Sequence, residues 1–324
     1  MMLRAMRRYA LCAAMFGAMA IPAIADSYPT RTVRVVFGLS AGSSSDVMAR
    51  IVAERVAEKW GRAVIIDNRP GAGGNIAADA VAKSAPDGYT LLLSNVAIAI
   101  APSYYSKLNY DPVKDLIPVT ELARAPHVLC VNPALPIKSV KDLIAMAKAN
   151  PGGLMYSSAG AGQTDHMATE LFAQMAGIRM THIPYKGGPP ALQAVMAGEV
   201  ALDFPGIAAA LPLMKGGNVR CLAVSTSKRS PILPDLPTLD EEGIKGYEHS
   251  LWNGLYAPAG TPPEIVTRLS AEFAEVLRRA DVIERLAALG IEPVGSNPEE
   301  FSRYFRMEVE KWATVINTTG ISGE

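Results

Sequence analysis

The feature that most constrains this chain is an almost unbroken alternation of two hydrophobic periods. Short runs with the character of buried strands give way to segments whose apolar residues recur at helical spacing. Residues 33–39, 63–67 and 89–94 read as strands, with helices over 46–59 and 75–83 between them. On the first helix Val47, Met48, Ile51, Val52 and Val56 make one apolar stripe. The pattern then resumes, with strands over 128–132, 154–158, 180–184, 200–204 and 219–224 and helices over 139–149, 164–176, 189–197 and 207–215. The C-terminal part is mainly helical, over 263–279, 280–289 and 298–316, each helix opening on a Pro, Ala-Asp or Asn-Pro start signal. Strands alternating with helices of this length predict α/β lobes built on mostly parallel sheets.

The first residues bear on compartment. Arg4, Arg7 and Arg8 precede an uncharged apolar run over 9–21, and Ala23-Ile24-Ala25 supplies the small residues of a cleavage site. Residues 1–25 therefore read as a secretory signal peptide, cut before Asp26, and the protein is expected in the periplasm. The run is shorter than the ~20 residues of a spanning helix. Cys12 lies inside it, which argues against a lipoprotein site. The remaining 299 residues exceed what one hydrophobic core usually holds. Segments 119–126 and 225–237 read as connections between lobes. Lobe I would then comprise 26–124 plus 226–324 and lobe II 125–225, with a two-strand hinge and a ligand cleft between them.

Removing three arginines with the leader from the 31 basic residues leaves 28 against 31 acidic, a balance of −3. No attraction to nucleic acid or an anionic membrane surface is expected, and an anionic ligand has to be held by local groups. Cys130 and Cys221 lie in the apolar runs HVLCVN and VRCLAVS. In an oxidising compartment they are either one disulfide or two buried thiols. The four histidines are far apart in sequence and no HExxH or CxxC spacing occurs, so neither a metal site nor a cofactor is expected.

Polar chemistry concentrates in turns that follow strands and open helices. The first is Gly38-Leu39-Ser40-Ala41-Gly42-Ser43-Ser44-Ser45-Asp46. A helix start leaves backbone N–H groups unpaired and carries partial positive charge, so it holds an anion without arginine. Capping by Ser45 or Asp46 alone would need one such residue, not a run. In open α/β sheets, ligands gather at the carboxyl ends of strands, which favours a ligand role here. The second turn, Ser157-Ser158-Ala159-Gly160-Ala161-Gly162-Gln163-Thr164-Asp165-His166, has the same context in the other lobe. Gly160 and Gly162 permit close backbone approach. Thr164 and His166 fall in the first helical turn, where His166 is either a ligand contact or a packing residue. Two such turns facing each other suit a carboxylate. A third turn, Asn68-Arg69-Pro70-Gly71-Ala72-Gly73-Gly74-Asn75, fails the nucleotide pattern, because Ile76 stands where the third glycine belongs.

Gly38-Leu39-Ser40-Ala41-Gly42 also matches the G-x-S-x-G nucleophile elbow, with His249 and Asp235 or Asp240 following in order. Its strand is the first of the mature chain, so no earlier strand supplies the second oxyanion donor. A secreted serine hydrolase at Ser40 is therefore the weaker alternative, and no enzyme activity is expected. A ligand sensor without a transporter is the third class.

Read together, the stretches VRVVFG, IIDNRPGAGGNIAADAVAKSAPDGYTLLLSN, YDPVKDLIPV, SSAGAGQTDH, HIPYKGGPPAL and LWNGLYAPAGTPPEIV resemble the Bug-type extracytoplasmic solute receptors of tripartite tricarboxylate transporters. The resemblance covers essentially the whole mature chain. It implies a type II periplasmic-binding (Venus-flytrap) fold, a small organic acid or amino-acid-like ligand, delivery to membrane transporter subunits, and a monomer. It further implies a cleft lined by Ser43, Ser44, Ser45 and Asp46, by Ser158, Ala159, Gly160 and Gly162, and by residues near Tyr185 and Asp203. The sequence departs from the family in the first turn. Ser43 follows Gly42 where a second glycine is usual, and Leu39 stands where Phe is common, so ligand identity is not carried over.

Overall fold

The computed structural model describes residues 28–322, and the signal-peptide reading with its cut before Asp26 lies outside the described residues. The chain opens with β1 (Val33–Phe37), α1 (Ser44–Trp60), β2 (Val64–Asn68), α2 (Asn75–Ala82), β3 (Thr90–Asn95) and α3 (Ala97–Tyr104). Then β4 (Leu116–Pro126) runs almost directly into β5 (Val128–Val131). After α4 (Val140–Ala149) come β6 (Met155–Ser158), α5 (Thr164–Ala176), β7 (Thr181–Pro184), α6 (Gly188–Ala197), β8 (Leu202–Asp203), α7 (Ile207–Lys215) and β9 (Arg220–Val224). The chain closes with β10 (Ser250–Pro258), α8 (Pro263–Leu277), α9 (Ala280–Ala287), β11 (Glu292–Pro293) and α10 (Pro298–Thr319).

Two sheets organise these elements. The first has strand order β11-β4-β10-β3-β1-β2 and the second β7-β6-β8-β5-β9. Helices cover both faces of the first sheet, so successive strand residues are buried on opposite sides. Val35 and Phe37 pack into one apolar cluster with Val52 and Leu269, and Val36 into another with Trp252, Phe301 and Trp312. That is why Val35, Val36 and Phe37 stand as consecutive apolar residues rather than alternating with polar ones, while Arg34 near the strand's start is exposed. The second lobe has its own core around Leu129, Tyr156, Phe172 and Phe204.

The sheets are mixed, where mostly parallel ones were expected. β1 runs parallel to β2 and β3, and β6 parallel to β7 and β8. The strands that carry the chain between lobes break the pattern: β10 is antiparallel to β3 and β4, and β5 to β8 and β9. Hydrophobic period encodes strand existence but not strand direction, which follows from the route of the crossings. Segment 119–126 belongs to β4. Residues Leu239, Ile244 and Tyr247, assigned to lobe I from sequence, pack into the second lobe's core. The return to the first sheet is made by β10, which the sequence reading missed.

The crossings lie side by side. β4 and β10 pair along their lengths, from Ser250 opposite Pro126 to Pro258 opposite Leu116. At their lobe II end Ser225 stitches them together. Its hydroxyl accepts from the His127 amide at 2.9 Å and donates to the His249 carbonyl at 2.7 Å. Just inside the second lobe, Cys130 and Cys221 are register partners on β5 and β9 and form a disulfide across 91 residues of chain.

Candidate functional site

The turn after β1 is tied by hydrogen bonds. Gly42 takes a left-handed φ of +85°, and its N–H donates to Asp46 Oδ2 at 2.9 Å. Ser43 caps α1, its Oγ accepting from the Asp46 amide at 3.3 Å. Asp46 is buried and also accepts from Arg50 Nε at 2.9 Å, Arg50 Nη2 at 3.0 Å and Asn68 Nδ2 at 2.9 Å. Burial pushes this carboxyl upward, but the Arg50, Gly42 and Asn68 hydrogen bonds outweigh it and hold the group below its usual range. Asp46 thus faces into lobe I as a clamp on the turn, while Ser43, Ser44 and Ser45 line a cavity between the lobes.

The turn after β6 is built the same way. Gly160 and Gly162 adopt φ of +143° and +72°. Asp165 Oδ2 accepts from the Ala159 amide at 2.6 Å, and Ser158 Oγ bonds within the turn to Gly160. His166 sits behind the turn, its Nδ1 accepting from the Gly162 amide at 3.2 Å and its ring stacked on His182 at 3.9 Å. Burial, with His182 beside it, lowers His166 to about 3, so the ring is neutral.

The Thr164 hydroxyl has two histidine neighbours, His127 Nε2 at 3.1 Å and His249 Nε2 at 2.7 Å. The far ring nitrogen of His127 lies 2.6 Å from the Phe204 carbonyl, which only accepts. His127 Nδ1 therefore carries the proton and Nε2 accepts from Thr164, whose oxygen accepts in turn from His249 Nε2–H. Burial lowers His127 to about 4, consistent with a neutral ring.

These turns converge on one inner cavity of about 40 Å³, lined by Ser43, Ser44 and Ser45 from one lobe and Ala159 and Thr164 from the other. The first-turn amides of Ser44, Ser45, Thr164 and Gly188 have no acceptor among the described residues, and all four residues line it. Helix starts of α1, α5, α6 and α7 all point their positive ends toward this space. Among the described residues no lysine or arginine lines it. Sequence reasoning missed Asn95, His127 and Gln163, which also form the wall. The signal for Asn95 was its place at the carboxyl end of a strand.

A larger cavity of about 280 Å³ shares Leu39 and Ala159 with the inner one and opens at the cleft mouth. Gly160 and Tyr185 line it, beside Tyr105 and Lys186. Tyr185 leans on Glu199 at 3.3 Å. Ser158, Gly162, His166 and Asp203 line neither cavity. Asp203 is fully buried, and neither carboxyl oxygen has a partner among the described residues.

The lobes are closed on each other. Ser44 Oγ accepts from the Ala209 amide at 3.0 Å, Gln163 Nε2 donates to the Gly73 carbonyl, and Tyr105 OH donates to the Ala161 carbonyl. Ser40 packs against Gly187 of the opposite lobe, and among the described residues its hydroxyl has no hydrogen-bond partner, histidine or other. A nucleophile elbow requires a base at that oxygen.

Comparison with known proteins follows the same lines. The family described as "Tripartite tricarboxylate transporter family receptor" matches residues 48–321. Protein BugT of Bordetella pertussis is 39% identical over 303 residues, 93% of each chain. Among solved structures, R. palustris Rpa4515 with adipate superposes with a TM-score of 0.88 at 40% identity, covering 91% of this chain and 99% of its own. MatC from Rhodopseudomonas palustris with bound malate gives 0.85 at 33% identity, covering 89% and 100%.

Proposed function

The chain belongs to the tripartite tricarboxylate transporter receptor family, and on that premise we propose that it captures a small carboxylate-bearing solute in its interlobe cleft and delivers it to the membrane subunits of a tripartite transporter. The reading rests on one observation above the others. Three helix starts with free first-turn amides, those of α1, α5 and α6, surround a cavity whose described lining includes no lysine or arginine. Such amides bind a carboxylate with charge-assisted hydrogen bonds, each contributing roughly 1.5–3 kcal/mol. An inner cavity of about 40 Å³ takes a carboxylate head, and the rest of a longer solute extends into the 280 Å³ mouth. Adipate and malate, bound in two related structures, have that shape.

Export to the periplasm with Asp26 as first residue, and a monomeric state, belong to the same proposal; intact mass and sedimentation of the exported protein check both. The ligand class is tested by a thermal-shift screen against mono- and dicarboxylates, with uncharged solutes of matched size. A carboxylate at 100 times its Kd stabilises the fold by about 2.7 kcal/mol. Stabilisation by an uncharged solute and by none of the acids would sink the reading. Delivery is tested by uptake in vesicles carrying the large and small membrane subunits, with and without this protein.

A further inference from the structure

The inner cavity has one charged side chain in its wall, and its sign is wrong for a carboxylate. Asp165 is 4% exposed and lines the cavity from the first turn of α5. Asp203 ends β8, two residues before Pro205 and Gly206, which also form the wall. It is 0% exposed, both of its oxygens lack a hydrogen-bond partner among the described residues, and it lies within the electrostatic reach of Asp165. A buried carboxylate with no donor is costly, and two like charges in one dry site do not both ionise.

We propose that Asp165 and Asp203 form a proton site of the ligand cavity, so that a carboxylate is captured together with one proton. The inference rests on the carboxylate reading of the cleft and adds the proton to it. Asp165 accepts two backbone hydrogen bonds, from Ala159 N at 2.6 Å and His166 N at 2.9 Å, so it is the member that ionises. Asp203, with only the Phe204 amide near it as a donor, keeps its proton. Burial raises both groups, Asp165 to about 7 and Asp203 well above the ordinary carboxyl value, with the Asp165 charge adding to the rise on Asp203.

The surrounding groups supply no positive charge. Tyr156 of β6 has its pKa raised by burial; His166 of α5, His182 of β7 and the hinge residues His127 and His249 are all pushed down and neutral. Lys311 of α10 acts on His249 alone among these. An arriving carboxylate therefore places a second negative charge beside Asp165 and raises its pKa again. Above the ligand-free value, one solvent proton moves onto Asp165 as the ligand binds, and the ligand stays an anion on the helix amides. Well below pH 7 the proton is already in place and affinity is flat. Above pH 7 affinity falls by up to about tenfold per pH unit.

Two measurements test this on the full-length mature protein. Carbon-13 NMR of the carboxyls in the ligand-free state is expected to show one of the pair still protonated at pH 7. If both ionise below pH 5, the proton site does not exist, whatever the cleft binds. Calorimetry of adipate at pH 8, in phosphate and in Tris, is expected to report uptake close to one proton, falling toward zero at pH 5.5. Asp165→Asn, which mimics the protonated state, is expected to abolish the uptake and bind adipate more tightly than wild type at pH 8. Asp203→Asn serves as the second variant, and each is checked for cooperative melting. Binding with no proton uptake at any pH, or uptake that survives in both folded variants, overturns the inference while leaving the carboxylate reading intact. Failure of adipate and malate to bind, with the NMR result as expected, counts against the carboxylate reading instead.

Discussion

The Thr164 hydroxyl bonds two histidines, and that decides what the residue offers a ligand. Its proton goes to His127 and its oxygen accepts from His249, so only its amide is left for the cavity. The two rings are then opposite tautomers, Nδ1–H in His127 and Nε2–H in His249, which long-range nitrogen–proton NMR should register. The same tautomer in both rings would contradict this network. Ser44 differs: its oxygen accepts from the Ala209 amide and its own proton is uncommitted. Ser44→Ala is expected to weaken carboxylate binding about tenfold or more by calorimetry. Unchanged affinity would remove the hydroxyl from the ligand's contacts. The serine turn was legible in the sequence because a Gly/Ser run at a strand's end exceeds what capping needs. His127 and Gln163 were not, because a lone histidine in HVLCVN reads as core and the glutamine's partners lie 90 and 68 residues away. Asp46 read as a pocket residue because sequence does not reveal which way a first-turn acid faces, and Arg50 and Asn68 turn it inward.

At the scale of elements, helices and parallel strands were readable from their periods, and the strands that cross between lobes were not. Segment 119–126 was read as one strand of a two-strand hinge, without its full length or its direction, and the return was placed at 225–237 with β10 unseen, because both crossings are set by long-range pairing with each other rather than by a local pattern. The same pairing decides the cysteines. Cys130 and Cys221 sat in strand-like runs near the two expected crossings, which put them close in space without deciding a bond, and the β5–β9 register brings them opposite each other. A bond closing 91 residues restricts the unfolded chain by about 4–5 kcal/mol in the chain-entropy picture. Reduction, or the paired change Cys130→Ala with Cys221→Ala, is expected to cost about 2–5 kcal/mol in urea unfolding. Two free thiols per chain in denatured, unreduced protein would show that the bond does not form. The Asp46 clamp belongs here too, because it fixes where α1 begins. Its pKa is depressed in the folded state, so its stabilisation is present above the unfolded carboxyl's ordinary value and lost as pH falls through the folded one. Asp46→Asn should therefore destabilise the protein at pH 7 by about 1.5–3 kcal/mol and by much less in acid, measured as the difference in urea midpoints.

For the whole molecule, the proposed capture of a solute turns on how closely two lobes approach, and glycines stand at the contacts between them. A Cβ at Gly206 would lie 2.5 Å from Ser44 Oγ and 2.7 Å from its Cβ, across the cleft. Gly206 has an ordinary φ of −64°, so alanine fits its backbone and the added methyl acts only as a wedge. Gly187, against Ser40, is a poorer probe because its φ of +114° would strain any side chain. Gly206→Ala is thus expected to hold the lobes apart without unfolding either one. Small-angle scattering should give a larger radius of gyration that added carboxylate reduces less than in wild type. Calorimetric affinity should fall at least about tenfold, the equivalent of ~1.4 kcal/mol. The closest obstruction is Ser44, with the flexible tip of Leu251 next at 3.0 Å, so shortening Ser44 should relieve most of the wedge. Ser44→Gly in the Gly206→Ala background is expected to restore the compact form, although the serine hydroxyl's own contribution to affinity stays lost. That partial rescue separates crowding at the cleft from local damage to α7, since damage at α7 would ignore what stands at position 44. Wild-type scattering and affinity in Gly206→Ala would mean that closure leaves room for the methyl and that the grip on the ligand comes from the mouth of the cleft.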